Sequence, residues 1–311
     1  MDEEKSGSGE SSADAAPSSA PESTSNRAKE MPPVVVFGAR GKTGKRCVQV
    51  AARSMRAVVA CTRDGSFSTA DLGLSAEEAD LVTAKPGDVS KATPADLADL
   101  VAGARAVIFA ASASPNGGNP QEVDKAGLVA VARACIAAKV PRLVIVSSGS
   151  VTKPLSPVYV FLNFFGGIMR AKIEGEDAVR QLYYDREGCD YVVVRPGGLT
   201  EDEGRGVGAI ELNQGDDKSG RIARADVAVI CVEAAFAEAG SDVANATFEC
   251  YWADTAKSLD EVGLSNLMGS TSEVPDYKSG KERRGATWDE LFAGLEADAP
   301  GVSQQGCGPS L

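Results

Sequence analysis

Apolar residues along this chain come in short β-branched runs, separated by stretches in which they recur at helical spacing. "PVVVFG" reads as a first strand, and in "KTGKRCVQVAARS" after it Cys47, Val48 and Ala51 share one helix face. "RAVVACTR" and "ADLVTAKPGD" read as a second and a third strand. "TPADLADLVAGA" has Thr93 as N-cap, Pro94 at the first helical position and Gly103 near the end, a coherent set of start and stop signals. "AVIFAAS" and "RLVIVSS" are unbroken apolar runs, as expected of strands buried on both faces of a parallel sheet. Between them "PQEVDKAGLVAVARACIAAK" reads as a helix. An irregular stretch follows Ser148, then a long helix through "IMRAKIEGEDAVRQLYYD", a buried strand "CDYVVVRPGG" and looser sequence. This alternation predicts an α/β fold: a doubly wound parallel sheet with right-handed crossovers and a small C-terminal substrate lobe.

The ends differ from the middle. Residues 1–30 are rich in Ser, Ala, Glu, Gly and Pro, with no large apolar side chain after Met1. Such a segment buries too little surface to offset its ordering entropy, so it reads as a disordered acidic tail. It does not look like a transit peptide, which is poor in acids, because "MDEEKSGSGE" opens with them. The folded unit is expected over residues 31–297, with residues 298–311 as a flexible end.

Composition narrows the function. The net charge of -12 argues against nucleic acid as a partner, since phosphate contacts need clustered Lys and Arg. No apolar run approaches the roughly 20 residues that a membrane-spanning helix needs, so a soluble protein is expected. Seven scattered cysteines without a CxxC pair suggest reduced thiols in an intracellular compartment. The absence of histidine excludes a Ser-His-Asp triad, a Cys-His dyad and any His-ligated zinc site. No metal site is expected.

The candidate chemistry begins at "VVVFGARGKTGKRCV". Gly38, Gly41 and Gly44 form GxxGxxG where the first strand meets the first helix. Gly38 suits a sharp turn out of the strand, Gly41 a close approach of backbone to a pyrophosphate, and Gly44 a tight seat of the helix on the sheet. The N–H groups of the turn, through Arg40, Lys42 and Thr43, and the positive end of the helix dipole would hold the phosphates. The P-loop spacing GxxxxGK[ST] fails, because its second glycine would fall at Thr43. The pattern therefore points to a dinucleotide. The second strand ends in Arg63, where an NAD enzyme would place an acid against the ribose 2′-hydroxyl. A guanidinium there, with Arg40 closing over it, favours the 2′-phosphate of NADP. The plainer alternative is a pair of solvated arginines.

The glycine spacing, with "CTRDG", "KPGDVS", "VIVSSGS" and "VVVRPGGLT" at the ends of successive strands, resembles the extended and atypical short-chain dehydrogenases/reductases. "RIARADVAVICVEAAF" resembles the Arg-Ala-Asp-Val-Ala segment that opens a late helix in the NmrA-like and flavin-reductase-like members, and "GATWDELFAGL" is similar to the C-terminal helix of plant and algal ones. The resemblance covers roughly residues 33–295 and implies a Rossmann fold. It also implies Asp88 and Val89 beside the adenine, Ala110, Ala111 and Ser112 along the nicotinamide ribose, and Pro196 and Gly197 under the nicotinamide. Asp88 is equally a normal turn residue after glycine. Plastid relatives imply a plastid or the cytoplasm.

The reaction is where the resemblance breaks. Typical members use a Tyr as acid four residues before a Lys, which lowers the Tyr pKa and grips the ribose. Here Lys172 is present and the position four before it is Ile168. Ser148, or Ser147, stands where the family places a carbonyl-polarising hydroxyl, though such serines also simply cap strand ends; Tyr159 lies thirteen residues before Lys172 in an apolar stretch. Two functions remain open. One is an NADPH-dependent reductase of a flavin, quinone or other conjugated small-molecule acceptor that needs no protein acid. The other is a non-catalytic NADP(H)-binding sensor or scaffold acting through a protein partner, with the aromatic stretch around Phe161, Phe164 and Phe165 serving acceptor or partner.

Overall fold

Val34–Phe37 form β1, and its side chains are shared between two cores. Val34 and Val36 point into one, Val35 and Phe37 into the other, which is why the run carries no polar residue. The computed structural model describes residues 28–114, 117–164, 166–259, 278–299 and 303–304.

β2 (Val58–Thr62), β3 (Val82–Pro86), β4 (Ala106–Phe109), β5 (Arg142–Val146) and β6 (Asp190–Pro196) join β1 in the parallel order β3-β2-β1-β4-β5-β6. This is the doubly wound order, with its switch point between β1 and β4. β7 (Gly198–Thr200), β8 (Ile210–Asn213), β9 (Lys218–Ser219), β10 (Arg221–Ala223), β11 (Ala246–Trp252) and β12 (Lys257–Ser258) follow. β11 extends the sheet in parallel beside β6, and β8 closes that edge antiparallel to β11. β7 with β10 and β9 with β12 form two separate two-stranded ladders.

The helices α1 (Lys42–Arg53), α2 (Pro94–Val101), α3 (Leu128–Ala137), α4 (Pro157–Asn163), α5 (Ile168–Tyr183), α6 (Arg224–Phe236) and α7 (Trp288–Phe292) flank this sheet. α1 and α6 pack together over one face, and α2, α3 and α5 cover the other. Thr93 and Asp96 form a capping box at α2, and Gly103 follows it at φ 67°, as its sequence signals predict.

Two elements depart from expectation, the turn before α3 and the length of α7. Gln121–Gly127 is wound as a π-helix ahead of α3. The wider turn seats Asp124 at the strand ends, and Gly127 fits against Val89, whose Cγ2 would lie 2.9 Å from an added Cβ. α6 starts at Arg224, where the Arg-Ala-Asp-Val-Ala segment is expected to open a helix, after Arg221–Ala223 pairs with β7. α7 is a turn and a half, from Trp288 to Phe292.

The expected acidic tail lies outside the described residues up to residue 27. Residues 28–30 form a helical turn, with Ala28 buried and Lys29 paired with Asp80. At the other end, the stretch expected to be flexible begins with a tied residue. Asp298 accepts from Arg180 at 2.8 Å, Thr247 at 2.6 Å and Tyr191 at 3.0 Å. Ser303 and Gln304 bond Asp177. These contacts close a charged layer on the α5 side of β6 and β11. There buried Arg195 meets Glu176 at 2.6 Å and Glu249 at 3.4 Å.

Among the described residues no helix is long and apolar enough to cross a membrane. Cys47, Cys61, Cys135, Cys189, Cys231 and Cys250 are free and buried, and Cys307 lies outside the described residues. Burial pushes the Cys61 thiol up to about 12, so it packs as a small apolar group.

Candidate functional site

The parallel register brings the C-terminal ends of six strands to one edge. Phe37 is level with Cys61 on β2 and Phe109 on β4, and Val146 is level with Val194 on β6. Everything the sequence singles out as cofactor-binding therefore leaves the sheet on the same side.

The glycine turn shows three different needs. A Cβ on Gly38, which sits at φ 77°, would come within 2.6 Å of the Ala111 backbone. A Cβ on Gly44 would lie 2.3 Å from the Gly38 carbonyl oxygen. Both glycines are demanded by packing. A Cβ on Gly41 meets only that same oxygen at 3.1 Å and the Ala110 oxygen at 3.9 Å, so its other side faces the cleft. No side chain caps α1 and no acid stands in its first turn. Its leading N–H groups, at Lys42 and Thr43, are left for an anion.

The far end of the cleft is cationic but not freely so. Arg40 Nη1 bonds Asp64 Oδ2 at 2.9 Å and Ser66 Oγ at 2.8 Å. Donation from the Ser66 N–H and hydroxyl, and then from Arg40, holds the Asp64 carboxyl well below the usual range. Arg63 is exposed and lies against Gly117, where its Nη1 would be 2.5 Å from an added Cβ. Asp88 receives the Ser90 N–H at 3.1 Å and the Ser90 hydroxyl at 2.7 Å, so the turn role is filled, and Val89 behind it is buried.

At the other end, Ala110 continues β4 by bonding the Phe37 oxygen at 3.0 Å, and Ala111 follows against Gly38. Ser112 donates to Asp124 Oδ1 at 2.7 Å, and the Ala113 N–H reaches Oδ2 at 2.8 Å. Lys172 projects from α5 to the same carboxylate, its Nζ 2.8 Å from Oδ1. Asp124 is 2 % exposed and is the organising residue of this corner. Sequence reasoning missed it, because a lone Asp early in an apparently regular helix gives no signal. Pro196 ends β6 and Gly197 follows it, ahead of β7. Gly197 is required there, since a Cβ would stand 2.3 Å from the Gly220 oxygen.

The side chains at the positions expected to transfer a proton are apolar, packed or already bonded. Ile168 opens α5 and packs beside Val151, Met169 and Ile173. Tyr159 packs on the same cluster, and burial raises its phenol; its charged neighbours are Arg170 and Glu174 rather than Lys172. The Ser148 hydroxyl donates to the Gly149 oxygen at 3.1 Å. Ser147 is bonded to buried Glu176.

An NAD(P)H-binding family model matches residues 38–238, the span from the glycine turn to the end of α6. The chain belongs to this NAD(P)H-binding family. An uncharacterised chloroplastic protein of Arabidopsis thaliana is 34% identical over 220 residues, covering 67% of this chain and 73% of that one. Among solved structures, the oxidoreductase ylbE of Lactococcus lactis superimposes with a TM-score of 0.58 at 20% identity, over 78% of this chain and 99% of its own. The anaerobillin reductase ChuY of Escherichia coli O157:H7 gives 0.54 at 23% identity, over 71% and 98%. A short-chain dehydrogenase/reductase of Veillonella parvula in complex with NADP gives 0.54 at 15% identity, over 72% and 96%. The family match begins at Gly38, the first glycine of the turn that leads into the uncapped start of α1.

Proposed function

We propose that this protein is an NADPH-dependent reductase of a flavin, quinone, tetrapyrrole or similar conjugated acceptor, with residues 31–297 forming the cofactor domain and its small lobe. The observation that carries the reading is the corner in which Lys172 is held beside the strand ends while Ile168 stands one helical turn before it. A nicotinamide bound there supplies hydride. The chain supplies the floor at Pro196 and Gly197 and a cation near the ribose, but no acid for an alkoxide. Acceptors that spread the incoming charge by conjugation take their proton from solvent, so positioning provides the rate.

NADP over NAD is supported by two arginines, Arg40 and Arg63, at the end of β2, and by the NADP complex of a protein with the same fold. A tetrapyrrole acceptor has further support in the likeness to ChuY, an anaerobillin reductase, and a plastid location in the chloroplastic relative. The test is stoichiometric NADPH oxidation with a panel of flavins, quinones and linear tetrapyrroles. Turnover with at least one of them is expected.

A second reading, an NADP(H)-binding sensor acting through a protein partner, is favoured by one observation. Ser148 is turned to its own backbone and Ser112 to Asp124, so neither hydroxyl points to a substrate. Tight NADPH binding with no acceptor consumed selects it.

A further inference from the structure

Glu201 lies two residues beyond the short floor strand's second position, Leu199, and its carboxylate sits at the head of α1. Its Oε1 is 3.0 Å from Lys42 Nζ and 2.8 Å from Arg224 Nη1. Lys42 is the first residue of α1, and Arg224 the first of α6. Both elements therefore present a cation to one glutamate, and Arg46 on the next turn of α1 adds to the field that keeps its carboxyl low. The loop carrying Glu201 is held from behind. The N–H groups of Arg205 and Gly206 bond Asp226 at 2.9 and 3.1 Å, and the Arg205 guanidinium stacks 3.8 Å over Trp252.

The consequence is an internal anion beside the place where the glycine turn and the uncapped α1 terminus hold pyrophosphate. We propose that Glu201 is a built-in competitor of the dinucleotide's pyrophosphate, drawing the Lys42 ammonium away from the phosphates and so setting cofactor affinity. This rests on the reading that the dinucleotide lies across the glycine turn. Two effects act with the same sign. Lys42 leaves a carboxylate when it turns to the phosphates, and the Glu201 charge, close by, repels them. Arg224 stays with Glu201 throughout, so the carboxylate is not stranded when Lys42 moves.

The experiment is a fluorescence titration of NADPH and NADH with the full chain, as wild type, Glu201→Gln, Lys42→Met and the double variant, each also melted without cofactor. Glu201→Gln keeps an oxygen for Arg224 and is exposed, so folding is retained. It is expected to tighten NADPH and NADH alike, by about three- to tenfold at low salt, because the pyrophosphate is common to both. The gain shrinks at high salt and is smaller in the Lys42→Met background, where only the direct repulsion by Glu201 is left to remove. A merely structural Glu201 would instead lower the melting temperature and weaken both cofactors. If wild type binds NADPH while Glu201→Gln leaves affinity unchanged or weaker, the competitor role is overturned and the cofactor reading stands. If wild type binds neither cofactor, the cofactor reading itself fails, and this inference with it.

Discussion

The Lys172 ammonium lies 2.8 Å from the Asp124 carboxylate, which also accepts the Ser112 hydroxyl and the Ala113 N–H. One buried acid thus ties α5 to the end of β4. Lys172→Ala removes the cation while the carboxylate keeps its other two donors. The expected stability loss is about 1–3 kcal/mol, read as a lower melting temperature. Under the proposed reading, in which the lysine serves the ribose rather than a tyrosine, the NADPH dissociation constant should rise more than turnover falls. Asp124→Asn should show a milder version of both effects. A Lys172→Ala protein with normal NADPH affinity and lost turnover would show that the lysine acts in the chemical step.

The three glycines of the turn should separate under mutation. Gly38→Ala and Gly44→Ala place a Cβ 2.6 and 2.3 Å from backbone atoms, so both should lose stability in thermal melts. Gly41→Val should melt close to wild type, with a small penalty from the 3.1 Å contact to the Gly38 oxygen, yet lose cofactor binding. NADPH binding by Gly41→Val would put the phosphates elsewhere.

Arg63 is the more available of the two arginines, since Arg40 is already bonded to Asp64 and Ser66. Arg63→Asp should weaken NADPH by about 1.5–3 kcal/mol, the scale of a hydrogen bond to a charged group, and leave NADH much less affected. Titration of both cofactors decides it, and equal weakening would count against the 2′-phosphate assignment. Asp64→Asn should strengthen the preference for NADPH by freeing Arg40.

With Ile168 in the acid's place, simple ketones and aldehydes should not be reduced. Tyr159→Phe should be nearly silent, because the phenol packs on Val151 and Met169 near the Arg170–Glu174 pair. A steep loss of turnover at unchanged NADPH affinity would mean that Tyr159 has taken the acid's role.

Arg195 cannot neutralise two glutamates equally. Glu176, at 2.6 Å, is held ionised, while burial and the neighbouring Asp216 push Glu249 up to about 8. A carboxyl raised above its ordinary 4.5 binds its proton more tightly in the folded protein. Its contribution to stability is present below pH 4.5 and is lost as pH rises toward about 8. Glu249→Gln keeps an oxygen for the Asp216 N–H and carries no charge. Its melting temperature should match wild type near pH 5 and exceed it increasingly toward pH 8.

The strand runs, the α2 caps and the glycine turn were legible because each is a local pattern: β-branched runs, Thr93-Pro94 with Gly103, and glycines at fixed spacing. From them a doubly wound parallel sheet follows, with the glycine turn at the edge to which a parallel sheet sends every βα turn. The absence of a tyrosine before Lys172 was equally plain, because helical spacing leaves only Ile168 in its place. Three things were decided by tertiary structure alone. Asp124 reaches Lys172 because the π-helical turn and α5 are brought together by burial of α3 and α5 on one sheet face. Arg40 is shared with Asp64, a residue that reads in sequence as an ordinary turn acid. Glu201 meets Lys42 across 159 positions because β7 returns over the head of α1. Sequence patterns carry torsional preference and burial along the chain. The pairing of charges distant in sequence depends on which strand ends the packed core makes neighbours.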